Sequence, residues 1–400
     1  MLLLAWLLFI LPLLGLLHTY LLYPWLMRWL AHRKEASAIF FAKADPDLPQ
    51  VSILCSLFNE EKVIAEKLSS LTTLIYPDEK LAFYFGSDQS TDRTNAIVEE
   101  FAKGRSDFHF FPFGKRRGKP PVINELAAKA KKDHGEGAQH VLIITDANVL
   151  LSPESIYQLV RHFKRPEITL VDAHMRHTGV QRGGISRAED QYISGEVYLK
   201  YYEGRAWGTM IGPFGGCYAI RSDYFAAVPP NFLVDDFYIA MQAFERGGKA
   251  INDLEAQCYE AVNHTIREEF RRKKRISAGN YQNLRRFGHL CWPPGKRLAF
   301  SFISHKVLRW FGPFLMGSML LGAGILALYG NFIGQVLLLS LGAFWLLFPG
   351  LDAILSLWGI NWHPLRALRY FMLMNIALLA GFFKYLKGIK SNVWQPTERK

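Results

Sequence analysis

Carboxylates stand at three places in this chain where they could do chemistry. Asp88 closes the apolar run that begins at Leu81, Asp146 follows Val-Leu-Ile-Ile-Thr with Asn148 two residues on, and Asp235 and Asp236 adjoin before a helical pattern that ends at Gly247-Gly248. Side chains of this kind can accept a proton from an attacking hydroxyl or help to hold a hard cation. Each also has a plainer use. Ser90 and Asp92 can cap a helix starting near Thr91, and Asp235 and Asp236 can cap the one they precede. Asp146 lies too far from the next helix to cap it, since Ser152 and Pro153 are better placed to begin it. Two basic clusters complete the chemical inventory. Gly114-Lys115-Arg116-Arg117-Gly118-Lys119 reads by composition as a solvated basic loop, and Arg271, Lys274 and Arg275 share a helical face by their spacing.

These residues need a scaffold that places loops side by side, and the intervening sequence supplies one. Val51–Leu57, Leu81–Gly86, Val141–Thr145 and Ile168–His174 read as strands; 60–73, 91–103, 120–132, 153–163 and 236–246 read as helices. The alternation predicts an α/β domain with a mostly parallel sheet covered on both faces. Ligands bind such sheets at the carboxyl ends of strands. That rule selects Phe58-Asn59-Glu60, Ser87 to Asp92, and Asp146-Ala147-Asn148.

Taken in order, these motifs resemble the membrane-anchored family-2 glycosyltransferases, the group of cellulose, chitin, hyaluronan and poly-N-acetylglucosamine synthases. The resemblance runs from about Val51 to Asn283 and into the flanking apolar segments. Phe58-Asn59-Glu60-Glu61 is similar to the family's first nucleotide loop, with Ser56-Leu57-Phe58 in place of Pro-x-Tyr, and Ser87 to Asp92 to its second, with Gln89 where Gly is common. Asp146-Ala147-Asn148 matches the metal-binding Asp-x-Asp, with Asn148 at the last place. Val234-Asp235-Asp236 matches the acidic pair that holds the catalytic base. Arg272 to Ile276 sits where processive members carry Gln-x-x-Arg-Trp.

The resemblance implies a GT-A-type nucleotide-sugar-binding fold flanked by transmembrane helices. It also implies a set of roles. Phe58, Glu60, Asp88, Lys119, Asp146, Arg272 and Arg275 would bind the donor; Asp146 and Asn148 would hold Mn2+ or Mg2+; Asp236, with Asp235, would act in catalysis. Phe214-Gly215-Gly216-Cys217 would line the acceptor pocket, although a tight turn before a strand explains the same residues. A leaving diphosphate is well met by a hard cation, and an amide in place of the second carboxylate should weaken that cation's binding without abolishing it. Ile276, where an aromatic is expected, puts polymerisation in question.

The apolar segments bear on location. Residues 2–27 exceed the roughly 20 needed to cross a bilayer, and the positive charges Arg28, Arg33 and Lys34 follow that run, as in an anchor and unlike a cleaved signal. This predicts an outward N-terminus and a cytosolic catalytic domain at the inner membrane. Residues 310–329, 332–358 and 367–383 add three apolar stretches. Four crossings would place the tail outside, whereas Lys384, Lys387, Lys390, Arg399 and Lys400 favour the cytosol; a re-entrant or interfacial segment would reconcile the two. The divisions expected are an anchor at 1–30, a linker at 31–50, a catalytic domain at 51–290, an interfacial segment at 291–309, a membrane region at 310–390 and a basic tail at 391–400.

Charge follows the same plan. The formal net charge is +12, yet 31–266 carries 27 basic against 31 acidic residues, and 267–309 carries 12 against 2. An acidic body with one basic seam argues against nucleic acid as a partner and for anionic lipid headgroups. Cys55, Cys217, Cys258 and Cys291 are scattered, which predicts free thiols without zinc. The expected activity is transfer of a sugar from a nucleotide sugar, UDP-linked, to a polysaccharide or lipid-linked acceptor, with single addition and processive extension both open. An accessory membrane subunit or an oligomer could supplement the few spans. The competing expectation is a catalytically weak membrane scaffold in an envelope polysaccharide assembly.

Overall fold

The computed structural model describes all residues except 36–37, 180–185, 262–265, 361 and 393–400, and the backbone alone of 186–192. Arg399 and Lys400 therefore lie outside the described residues. The chain divides into two compact units. One comprises 30–179, 193–262 and 389–400; the other comprises 1–29, 180–192 and 263–388.

The first unit is built on an 8-stranded sheet. Its strands are β1 (Gln50–Leu57), β2 (Leu81–Asp88), β3 (Phe108–Phe113), β4 (His140–Asp146), β5 (Val149–Leu151), β6 (Ile168–Thr178), β7 (Cys217–Arg221) and β8 (Lys249–Ala261), in the order β3-β2-β1-β4-β7-β6-β8-β5. The pairings set β7 and β5 against the common direction of the other strands. Because β1, β2 and β4 are buried on both faces, their sequences are nearly continuous apolar runs. The reversed strand β7 has a direct consequence for function. Its first residue, Cys217, pairs with Thr145 near the carboxyl end of β4, so the Phe214–Gly216 turn reaches the edge where β1, β2 and β4 end.

Helices α1 (Ile64–Leu71), α2 (Thr94–Ala102), α3 (Lys119–His134), α4 (Ser155–Val160), α5 (Ser186–Trp207) and α6 (Asp235–Glu245) accompany the strands. The sequence places the starts of α1 and α2 too early, and the cause is visible. The N–H groups of Asn59, Glu60 and Glu61 donate to Ser90 Oγ, Thr94 Oγ1 and Asp92 Oδ2 at 3.1, 2.8 and 3.1 Å, which keeps both loops open before either helix begins. Ser152 starts α4 through its carbonyl, which accepts from both Ser155 N–H and Ser155 Oγ, and not through its hydroxyl. Strand β3, Phe-His-Phe-Phe-Pro-Phe, escapes the alternation rule; an edge strand tolerates Pro112.

The second unit is helical. Leu2–His32, Phe332–Leu357 and His363–Leu386 are each long and apolar enough to cross a membrane, and Arg297–Trp310 with Gly312–Leu328 would pass as one span broken by a 65° bend. Pro313 in the first turn of the latter helix accounts for the break. Gly322 lets the N-terminal helix approach closely, for a Cβ there would stand 2.6 Å from the Ala5 carbonyl oxygen. Ser318 Oγ donates to the Leu8 carbonyl nearby at 2.9 Å. In the C-terminal helices, Asp352 is buried and pairs with Arg369 at 3.1 Å. The helix Ile266–Phe287 belongs to this unit. Its Ser277 Oγ donates to the Leu378 carbonyl, and Gly381 leaves room for Ser277.

Candidate active site

Two strand-end loops interlock first. Asn59 and Gln89 adopt φ of 52° and 63°, a left-handed backbone that Asn tolerates and Gln does not favour. Gln89 offsets that strain with its side chain, which donates to the Gly114 carbonyl and accepts from the Arg116 N–H, so it holds the basic loop. Asp88 holds the same loop more firmly. Its two carboxylate oxygens accept from the N–H groups of Arg117 and Gly118 at 2.7 and 2.8 Å, and it is 3% exposed. Both Asp88 oxygens are thus engaged in shaping the loop that leads to Lys119. Arg116 in turn lies 3.4 Å above the Phe58 ring, a flat apolar platform at the end of β1. Glu60 enters this knot through its backbone N–H.

Lys119 opens helix α3 directly after that loop. Its ammonium donates to Asp146 Oδ1 at 2.6 Å and stands 3.7 Å from Asp235 Oδ2. Burial opposes its charge, but Asp146, Asp235 and Asp236 prevail and push its pKa up. Asp236 is its counterpart. Burial and the adjacent Asp235 charge push its carboxyl up to about 7, against the pull of Lys119. Its Oδ1 accepts from the Phe237 N–H at 2.7 Å. Gly215, with φ of +30°, faces it so closely that a Cβ would fall 2.3 Å from Asp236 Oδ2. The chain can pass the carboxylate only with glycine there.

The turn containing Gly215 is anchored on both sides. The Gly216 carbonyl accepts from Asp146 N–H at 3.1 Å and from Thr145 Oγ1 at 3.0 Å. Phe214 N–H donates to Asp172 Oδ1 at 2.9 Å, and Lys200 on α5 donates to Asp172 Oδ2 at 2.6 Å, both charged groups being buried. Sequence reasoning missed this pair, although an Asp inside the apolar strand β6 is a signal it could have used. Lys67 was missed as well. It is wholly buried on α1, donates to Thr145 Oγ1 and the Val149 carbonyl, and has its pKa pushed down by that burial. Cys217, the first residue of β7, is buried at 1% exposure. Cys55, Cys217, Cys258 and Cys291 are free thiols, as expected.

Asp146 and Asn148 occupy the ends of a short turn between β4 and β5. Asn148 Nδ2 donates to Glu260 Oε1 at 2.7 Å. Among the described residues no group of three His, Cys, Asp or Glu side chains is placed to hold a metal. One carboxylate and one amide oxygen are too few for a protein-only cage, yet they fit Mg2+ or Mn2+ whose shell is completed by substrate phosphate oxygens. Arg272 and Arg275 lie in the helical unit, on Ile266–Phe287, where Arg272 stands 3.7 Å from the buried Glu269. The structure therefore brings Lys119, Asp146, Asp235, Asp236, Gly215 and Gly216 into one cluster of the sheet-based unit.

The chain is similar to known glycosyltransferases. Residues 52–227 match the family described as Glycosyl transferase family 2, and residues 140–384 the one described as Glycosyl transferase family group 2. A poly-beta-1,6-N-acetyl-D-glucosamine synthase of Staphylococcus epidermidis is 27% identical over 167 residues, 41% of this chain and 38% of that protein. A beta-monoglucosyldiacylglycerol synthase of Synechocystis sp. is 25% identical over 166 residues, 38% of this chain and 33% of that protein. The matched stretch thus spans well under half the length of either relative. The mannosyltransferase PcManGT from Pyrobaculum calidifontis, solved with GDP-Man and Mn2+, has a TM-score of 0.69 at 22% identity, covering 94% of this chain and 97% of its own. That likeness shows a shared GT-A fold.

Proposed function

The chain belongs to glycosyl transferase family group 2, and from that premise we propose that it is an inverting glycosyltransferase of the inner membrane, its catalytic unit cytosolic. It would move a sugar from a nucleotide donor, UDP-linked, to a polysaccharide or lipid-linked acceptor. One observation carries the reading: Lys119 bridges Asp146 and Asp235 beside an Asp236 whose carboxyl is poised near neutrality. A scaffold has no use for such an arrangement.

Each residue has a task that its surroundings suit. Asp146 and Asn148 would hold Mn2+ or Mg2+, which when bound neutralises charge gathering on the leaving diphosphate. Lys119 adds a fixed positive charge to the same place. Asp236 takes the proton from the acceptor hydroxyl as that oxygen forms its bond to the anomeric carbon. The bond to the diphosphate breaks on the opposite side, and the nucleoside diphosphate departs with the electron pair, which inverts the configuration. A base with a pKa near 7 is matched to this task at neutral pH. Asp235 keeps Lys119 in place, and Gly215 and Gly216 let a sugar ring come close. The same proposal gives Arg272 and Arg275 a part in donor affinity.

The test is a panel of nucleotide sugars offered to membranes containing the protein, with Mn2+ or Mg2+ and with the products sized. Turnover with one donor is expected, lost by a factor of about 10² or more in Asp236→Asn. Full activity in that variant would remove Asp236 as the base. Failure of the wild type with every donor would favour the scaffold.

A further inference from the structure

Asn148 is the one member of the cation pair whose chemistry depends on which way its side chain is turned. An Asn amide has an oxygen that accepts and an NH2 that donates, nearly alike in shape. Only the oxygen can ligate a cation. In this structure the NH2 end is engaged: Nδ2 donates to Glu260 Oε1 at 2.7 Å. A carboxylate offers acceptors and no donor, so a reversed amide would turn oxygen toward oxygen and lose the bond. Glu260 is set in place by the sheet, for it pairs with Val149 of β5, the residue directly after Asn148, and with His177 of β6.

We propose that Glu260 is a positioning residue that keeps the carbonyl oxygen of Asn148, and not its NH2, available to the divalent cation. This rests on the reading of Asp146 and Asn148 as the cation's protein ligands. It also accounts for a departure in the sequence. A carboxylate at 148 presents two equivalent oxygens and needs no such partner, whereas an amide does. The acidic group absent from 148 is found instead on β8, one hydrogen bond behind the amide. Outer partners of this kind commonly affect metal affinity by 10–100-fold.

The experiment is titration of the full-length protein in detergent with Mn2+, followed by electron paramagnetic resonance, in the presence of UDP and separately of GDP. Wild type should bind, and Glu260→Gln, whose amide can face Asn148 with either end, should bind about tenfold more weakly. In an Asn148→Asp background the same Glu260→Gln change should cost nothing, because no orientation remains to be set. Equal affinity of Glu260→Gln and wild type would overturn the proposal. A loss that persists beside Asn148→Asp would overturn it too, by making Glu260 itself a ligand. Should Glu260→Gln fail to fold alone, Glu260→Ala, which also removes the acceptor of the Asn148 NH2, takes its place in both backgrounds with the same outcomes expected. A wild type that binds no Mn2+ with either nucleotide would overturn the cation reading of Asp146 and Asn148, and with it the role of Glu260.

Discussion

At Asp236 activity and stability pull against each other. A carboxyl raised to about 7 binds its proton more tightly in the folded chain than in the unfolded one, where its ordinary value is 3.8. Its contribution to stability is therefore complete below the unfolded value and is lost as pH rises through 7. To act as the proposed base it must be ionised, so kcat/KM should climb with pH through an apparent pKa near 7, read from a pH–rate profile. Asp236→Asn should raise Tm, and by more at pH 8 than at pH 5, while abolishing turnover. Equal gains at both pH values would show that the carboxyl is not raised. The sequence reveals Asp236 because an acidic pair at a helix start is conspicuous. Its raised pKa was not legible, since its main cause is burial, which the fold sets, and the opposing charge of Lys119 stands 117 places earlier in the numbering.

Elements, rather than single side chains, set the shape around these carboxylates. Gly215 illustrates the point: Gly215→Ala would place a methyl group 2.3 Å from Asp236 Oδ2 at a backbone φ of +30°. We expect at least a hundredfold loss in kcat with little change in donor KM, measured by steady-state kinetics. The basic loop gives a second case. Asp88→Ala removes the acceptor for two backbone N–H groups, a loss of about 1–3 kcal/mol for each left unsatisfied. Limited trypsin digestion should then cleave after Arg116 or Arg117 faster than in wild type, and equal rates would deny Asp88 its anchoring part. Strands β1, β2, β4 and β6 were legible because double burial writes an apolar run into the sequence. The short β5 and the reversed β7 were not, for their places follow from pairing across the sheet, and the interlocked loops delayed α1 and α2 by long-range hydrogen bonds that no local pattern records.

Across the whole molecule, apolar length fixes the helical unit and close packing refines it. Gly322→Leu should separate the N-terminal helix from Gly312–Leu328, since even a Cβ there meets backbone at 2.6 Å. Less protein should then survive detergent extraction as a monodisperse species, judged by size-exclusion chromatography; an unchanged yield would show that the contact is dispensable. The basic seam was legible in composition, whereas the assignment of Ile266–Phe287 to the helical unit needed the contacts of Ser277. The sheet-based unit has one further property: its last described piece, 389–392, comes after every apolar helix. Asn392 is buried, donates its amide to the Phe232 carbonyl and lies with its backbone 3.4 Å from where a Gly118 side chain would begin. During synthesis all eight strands have been made by residue 261, yet the wall beside Gly118 waits for residue 392 to leave the ribosome. Completion of the loop that ends at Gly118 is in this way tied in time to production of the apolar helices that follow the sheet, and a chain arrested before them would carry the sheet with its loop wall unfinished.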